Sequence, residues 1–214
     1  MSMTMPRIRY TLHEEVGDPK EWSFTWAMTD DVTLGSQCGF CGRAELRVTY
    51  EVTRATDTRW ICPNCVARYP VAASLDGYAL GAREIRDQMH GLTARLKQRT
   101  CKDVILKVQA IMKDPVFDEI VVYFDRNLQL SPQRAARLFL ALPLLDDPID
   151  RRIFDVQTRS AAHQEEFGNL DDASRAIVWP ALSPVQRRRL ASLGHARRLV
   201  SPSDRLAIGL RCEY

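Results

Sequence analysis

Two cysteine pairs, Cys38-Gly-Phe-Cys41 and Cys62-Pro-Asn-Cys65, stand twenty residues apart in a chain of 214. No other feature constrains the fold so tightly. Two close pairs supply four thiolates around one tetrahedral ion, so the intervening chain must double back to bring them together. The spacing predicts a structural Zn2+ site with Cys38, Cys41, Cys62 and Cys65 as ligands. A closed four-thiolate site has no open position for substrate, so it builds a fold and carries no reaction. Cys101 and Cys212 have no CxxC partner and read as ordinary thiols.

The sequence around the pairs supplies the doubling back. Trp22, Phe24, Trp26 and Met28 alternate with small or polar residues, the two-residue period of a half-buried strand that places its bulky side chains on one face. Leu46, Val48, Tyr50 and Val52 alternate with Arg47, Thr49, Glu51 and Thr53 as a second strand, and Asp57-Thr58 marks its turn. The return through Arg59-Trp60-Ile61 carries the chain into Cys62. Two architectures fit. A second tight turn at Cys62 and Cys65 gives a zinc ribbon, whereas a helix through Val66-Ala-Arg68-Tyr69, limited to about one turn by Pro70, gives a treble clef. Arg43, Arg59 and Arg68 lie near the ligands in sequence and are expected to offset the charge of a four-thiolate centre. A β unit of about 50 residues buries too little to stand alone, and zinc binding adds on the order of 10 kcal/mol to its folding.

The tryptophan-bearing strand, the Cys38-Gly-Phe-Cys41-Gly42 knuckle, the Leu46–Val52 strand and the second cysteine site resemble small zinc-finger proteins of phages and mobile elements over residues 20–70. The hairpin turn lacks the glycine usual there, and the second site has a full CxxC. The resemblance implies a mobile-element protein, and no activity is carried over from it.

Other chemistries of paired cysteines fail on particular residues. A zinc deaminase needs Pro-Cys-x-x-Cys, but Gln37 precedes Cys38 and Ile61 precedes Cys62, which leaves His13-Glu14-Glu15 without a counterpart. Haem attachment needs a histidine after a pair, where Gly42 and Val66 stand. An HNH nuclease needs histidines in and after the hairpin, and residues 42–89 contain none. A redox dithiol explains two matched pairs less well than zinc does.

The expected fold class is therefore α+β, with a zinc-binding β module over residues 1–76 and a mainly helical domain over 77–214. Ile85, Met89, Leu92 and Leu96 recur as one helical face, and Val104, Val108 and Ile111 as the core positions of a next helix. Residues 119–124 fit strand or helix equally. Ser131-Pro132, Asp147-Pro148, Ser183-Pro184 and Ser201-Pro202 each place a capping oxygen before a first-turn proline. The longest of the helices they open is expected over 148–166, with Ile149, Ile153, Val156 and Phe167 on one side.

Charge points to partners. Residues 43–113 carry 13 basic and 7 acidic groups and residues 183–214 carry 7 and 2, within a net charge of only +3. Arg83, Arg86, Arg95, Lys97, Arg99 and Lys102 are candidate phosphate contacts on the first helix, as are Arg187, Arg188, Arg189, Arg197 and Arg198 near the C-terminus. The aspartates Asp146, Asp147, Asp150, Asp155, Asp171 and Asp172 offer the arginines an internal partner, or magnesium a nuclease site. The leading expectation is a non-enzymatic, zinc-stabilised nucleic-acid-binding protein or nucleoprotein subunit. In architecture it also resembles compact subunits of CRISPR effector complexes. The alternative is a phage or plasmid adaptor or inhibitor docking on an acidic protein surface, and a metal-dependent nuclease is a minor one. No small-molecule substrate is expected. No apolar stretch approaches the roughly 20 residues of a membrane span, and the opening Met1–Arg7 lacks the apolar core of a secretory signal, so a reducing cytoplasm is expected.

Overall fold

The alternation in the first 80 residues folds as antiparallel sheet, and the capped, proline-opened segments beyond fold as helices. A computed structural model describes residues 11–195 of the chain; Arg197, Arg198, Cys212 and the Ser201-Pro202 start lie outside the described residues. The fold is α+β. Strands β1 (Ser23–Asp30), β2 (Val48–Arg54) and β3 (Asp57–Ile61) form one sheet in that order. A short helix α1 (Pro63–Arg68) and a two-stranded hairpin of β4 (Ser74–Leu75) and β5 (Tyr78–Ala79) follow. The helices are α2 (Ala82–Met112), α3 (Pro115–Asn127), α4 (Pro132–Ala141), α5 (Ala161–Gly168), α6 (Asp172–Val178) and α7 (Pro184–Ser192). None of the described helices is long and apolar enough to cross a membrane.

The chain divides into two compact units. Of the described residues, one comprises 11–103 with 148–153, the other 104–147 with 154–195. Residues 76 and 77, where the sequence suggests a boundary, form the tight turn between β4 and β5, both with positive φ.

In the first unit, Trp22, Phe24, Leu46, Val48, Tyr50, Val52 and Ile61 are buried together with Ile85 and Met89 of α2. The β1 alternation breaks at a bulge. Phe24 pairs with Val52 but Met28 with Tyr50, so three residues of β1 oppose Glu51 alone. Trp26 takes a left-handed φ of 68° there, and its indole donates to Ser74 O at 2.6 Å. Trp22 and Phe24 are consequently buried, while Trp26 is only half-buried. The hairpin turn falls on Ala55-Thr56, two residues earlier than Asp57-Thr58, because Asp57 already pairs with Arg54.

Arg47 lies on the polar face of β2 by pattern, yet it is the hub of this unit. Its guanidinium donates to both carboxylate oxygens of Asp30, at 2.7 and 3.0 Å, with 15% of its side chain and 1% of that of Asp30 exposed. It also donates to Lys97 O on α2 and to Ile153 O. Burial alone would weaken its proton affinity, but the hydrogen bonds it donates to Asp30 override this and raise its pKa. The 148–153 segment is held beside it by Asp150 N donating to Val32 O at 2.8 Å and by Arg152 pairing with Glu45 at 2.7 Å.

That capture explains why no long helix runs over 148–166. Residues Arg151–Ile153 form one 3-10 turn, 154–160 are non-helical with Val156 bridged to Leu130, and α5 starts only at Ala161 under the Ser160 cap. Ile153, Val156 and Phe167 are all buried, but not on one helix. The two helices expected between residues 82 and 113 are one. Along α2, Ile85 and Met89 are buried near its start and Cys101, Val104, Ile105 and Val108 near its end, about 130° further round at 100° per residue. Ile111 is exposed at this end. Residues 119–124 are helical because Asp114 caps α3 with Pro115 at its first position, which puts Phe117, Ile120 and Phe124 on one buried face. Ser131 and Ser183 cap α4 and α7 as the sequence indicates, and Ser183 N donates in return to Gln186 Oε1 at 2.8 Å. In the second unit α4 packs on α5 and α6, with Leu138 and Phe139 fully buried.

Removing one partner of a buried ion pair leaves the other charge unpaired, so Arg47→Met should lower stability by about 3–5 kcal/mol. Adding Asp30→Leu should recover part of this loss in chemical denaturation followed by tryptophan fluorescence. At the strained turn, where Ala55 has φ 51°, Ala55→Gly should be neutral to stabilising by up to about 1 kcal/mol in the same assay.

Candidate metal centre

The knuckle is a local hairpin. Leu46 N donates to Ser36 O at 3.0 Å, Cys38 N to Arg43 O at 2.8 Å and Gly42 N to Cys38 O at 2.9 Å. Gly42 sits at φ 66°, and a Cβ there would lie 2.7 Å from His13 Nε2, so both backbone and space demand glycine. Gly39 N then bonds to Trp60 O at 2.8 Å, which fastens the knuckle to β3. Phe40 points inward between the first two ligands. It is fully buried, edge-on to Trp22 at 5.4 Å and 6.3 Å from Tyr69.

The second pair opens a helix. Cys62 is the N-cap of α1, Pro63 occupies its first position and Cys65 lies in its first turn, so the arrangement of knuckle, hairpin and helix is that of a treble clef. All four thiols are buried, and their sulfur atoms lie within 4.8 Å of one another. Cys38 Sγ is 3.7 Å from Cys65 Sγ and Cys41 Sγ is 3.9 Å from Cys62 Sγ. A regular tetrahedron with metal–sulfur bonds of about 2.3 Å has edges of about 3.8 Å, so the spacing fits four-coordinate metal ligation. Cys62 N donates to Cys38 Sγ at 3.2 Å.

The electrostatics of the cluster require a cation if it is to be fully ionised. Hydrogen bonds from Cys62 and Cys65 hold the Cys38 thiol far below its ordinary pKa, while bonding to Cys38 pushes Cys62 up to about 11 and raises Cys65. A thiolate at one position thus suppresses ionisation at its neighbours, and a divalent ion at the centre removes that conflict. Of the three arginines near the ligands, Arg59 is built into the knuckle, donating to Gly39 O at 3.0 Å and to Glu15 O at 3.4 Å. Arg43 is exposed, and Arg68 lies 5.6 Å from the Tyr69 ring.

The candidate phosphate contacts are dispersed. At 100° per residue, Arg95, Arg99 and Lys102 fall within about 60° on one side of α2, whereas Arg83, Arg86 and Lys97 fall on another. Arg83, Arg86, Arg95 and Arg99 are exposed, with Arg83 3.8 Å from Asp87 and Arg99 4.0 Å from Asp103; Lys97 and Lys102 are half-buried. On α7, Arg188 and Arg189 are exposed, but Arg187 donates to Trp179 O and Pro180 O at 3.0 and 2.7 Å. Its target is main-chain carbonyl, not the aspartate block.

The aspartates are used singly. Asp147 faces Lys107 at 3.6 Å, Asp150 pairs with Arg152 at 2.8 Å, Asp171 caps α6 and Asp172 pairs with Arg175 at 2.7 Å. Among the described residues, the four cysteines alone gather three or more metal-ligand side chains. Two groupings have no signal in the sequence, because their members are far apart along it. One is the Asp30–Arg47 pair, and the other joins Tyr123, Gln157 and His163 by hydrogen bonds. Comparison with protein-family descriptions, curated proteins and solved structures finds no match to this chain.

Cys65→Ser should abolish tight metal retention and unfold the three-stranded sheet, read as loss of the near-ultraviolet signal of its tryptophans. Chelation should do the same. Protons compete for thiolates, so metal affinity should fall as pH falls.

Proposed function

We propose that the chain is a non-enzymatic, zinc-stabilised nucleic-acid-binding protein or a subunit of a nucleoprotein assembly. Zinc is the ion favoured by four thiolates at tetrahedral spacing, and a saturated coordination shell gives it a structural role. The observation that carries the nucleic-acid reading is α2. This helix holds 7 basic and 3 acidic residues, and Arg95, Arg99 and Lys102 are aligned along one side of it. Arginine and lysine spaced along a helix bind phosphate through charge-assisted bonds whose strength depends on salt more than on base sequence. The exposed Arg188 and Arg189 of α7 are further phosphate contacts, whereas Arg187 serves the fold.

A second reading has its own observation. The β4–β5 hairpin carries Leu75 and Tyr78 as a cross-strand pair, 40% and 78% exposed. An apolar tip of this kind suits a protein partner, as an adaptor or inhibitor would require.

Metal analysis of protein purified without chelator should return one zinc per chain. Binding to mixed-sequence DNA and RNA oligonucleotides should be measurable at about 50 mM salt and should weaken log-linearly with salt. The double variant Arg95→Glu/Arg99→Glu should reduce affinity several-fold and flatten the salt slope by about 2, with zinc content unchanged. Absence of binding at low salt, with a stoichiometric protein co-purifying instead, would move the function to the adaptor reading.

A further inference from the structure

Between Asp87 and Asp103 the long helix α2 carries no acidic residue, and four of the residues there are arginine or lysine. The acids that bracket this run are engaged. Asp87 faces Arg83 at 3.8 Å, Asp103 faces Arg99 at 4.0 Å, and Glu84 accepts from Gly81 N at 2.8 Å. The acid-free stretch lies wholly in the first unit and is about 21 Å long at 1.5 Å per residue.

One side of the stretch holds the helix to its unit. Met89 is in the core, Thr93 Oγ1 shares a hydrogen bond with Tyr50 Oη, and Leu96 is half-buried. The other side is open. At 100° per residue, Gln88, Gly91, Arg95, Gln98 and Arg99 fall within about 100° of one another, and the four with side chains are exposed. With His90 and Ala94, also exposed, the open arc covers about half of the helix. The side chains of Gln88, Arg95 and Gln98 make no hydrogen bond or ion pair with another described residue. Two amides and a guanidinium therefore stand unused on a positively charged surface.

Gly91 is an independent observation on the same face. An isolated glycine weakens a helix interior, so its presence calls for a packing or functional reason. Packing supplies none among the described residues. Gly91 is not one of the positive-φ glycines, and a Cβ built on it would meet no atom within 4 Å. What its bare backbone provides is a notch in the middle of the amide-and-arginine face, where another molecule can approach the helix closely.

The chemistry of this face selects its occupant. Arginine pairs bidentately with guanine O6 and N7, and glutamine with adenine N6 and N7. Both edges lie in the major groove of B-form DNA, about 12 Å wide, which admits a helix of about 10–12 Å diameter. The deep, narrow major groove of double-stranded RNA does not admit one. Single strands are held by aromatic rings that stack on bases, and α2 contains no Phe, Tyr or Trp.

We propose that α2 enters the major groove of duplex DNA and reads base sequence there. Gln88, Arg95 and Gln98 contact base edges, Arg99 at one margin of the face contacts phosphate, and Gly91 sets how closely the helix seats. This rests on the nucleic-acid reading and goes beyond it, because phosphate contacts by themselves carry no sequence information.

The test is selection of binding sites from a randomised duplex DNA pool by the full chain at about 150 mM salt. The selected duplex is then titrated beside a scrambled duplex, and beside the RNA duplex and the DNA single strand of the selected sequence. A motif should emerge that binds at least about tenfold tighter than any of the three. Gln88→Ala/Gln98→Ala should lose at least about tenfold on the selected duplex while leaving the scrambled one unchanged. Gly91→Leu should bind duplex DNA at least about tenfold more weakly yet melt no earlier than the wild type, since leucine is the better helix former and open space surrounds the added Cβ. A pool without an enriched motif, or affinity for the motif unchanged in both variants, overturns the proposal. Salt-dependent binding that is equal on duplex DNA, duplex RNA and single strands overturns it too and leaves the backbone-phosphate reading standing, whereas no binding at about 50 mM salt overturns both.

Discussion

Four sulfur atoms drawn within 4.8 Å of one another close the small β unit, and its other parts follow from that closure. The knuckle, the β2–β3 hairpin and α1 are each too short to persist alone in water. Each also carries a ligand or delivers one. The knuckle offers Cys38 and Cys41, β3 runs directly into Cys62, and α1 adds Cys65 one turn later. Phe40 turns the same closure into packing, because the residue between the first two ligands is also the ring set against Trp22. A metal ion held by these four sulfurs would therefore join ligation and hydrophobic burial in one event. That accounts for a sheet of three strands with a helix of only six residues.

A second constraint sets how far the first unit extends. Arg47 satisfies the carboxylate of Asp30 and main-chain carbonyls of α2 and Ile153 with one planar group. Lysine could not do this, since it lacks the fork of fixed donors. The result is that six residues from the middle of the helical half belong to the first unit, while the helices on either side of them belong to the second. Along α2, Ile85 and Met89 belong to the core of the first unit, and Val104 and Val108 are buried in the second.

These two constraints differ in how much of them the sequence discloses. The cysteine ligands, the β2 alternation, the proline-opened helices α4 and α7 and the shortness of α1 before Pro70 are all local patterns, and local patterns are legible in one sequence. What could not be read has a non-local cause. Arg47 sits where alternation calls for a solvent-facing residue, and nothing near it in sequence signals a buried partner 17 residues away. The helix expected from Pro148 is absent because Asp150 N bonds to Val32 O, a contact outside any sequence window. The β1 bulge, likewise, depends on Trp26 reaching Ser74.

The arginines show why composition alone misjudges a basic surface. Arg47, Arg54, Arg59 and Arg187 all donate to main-chain carbonyls, so these guanidiniums act as structural donors. Carbonyls at the ends of helices and knuckles carry partial negative charge, and a guanidinium with five donors satisfies several at once. Each one so used has fewer donors left for phosphate. Those left exposed, Arg95 and Arg99 with Arg188 and Arg189, are few, so any affinity they give for nucleic acid rests on a small number of phosphate contacts and is strongly weakened by salt.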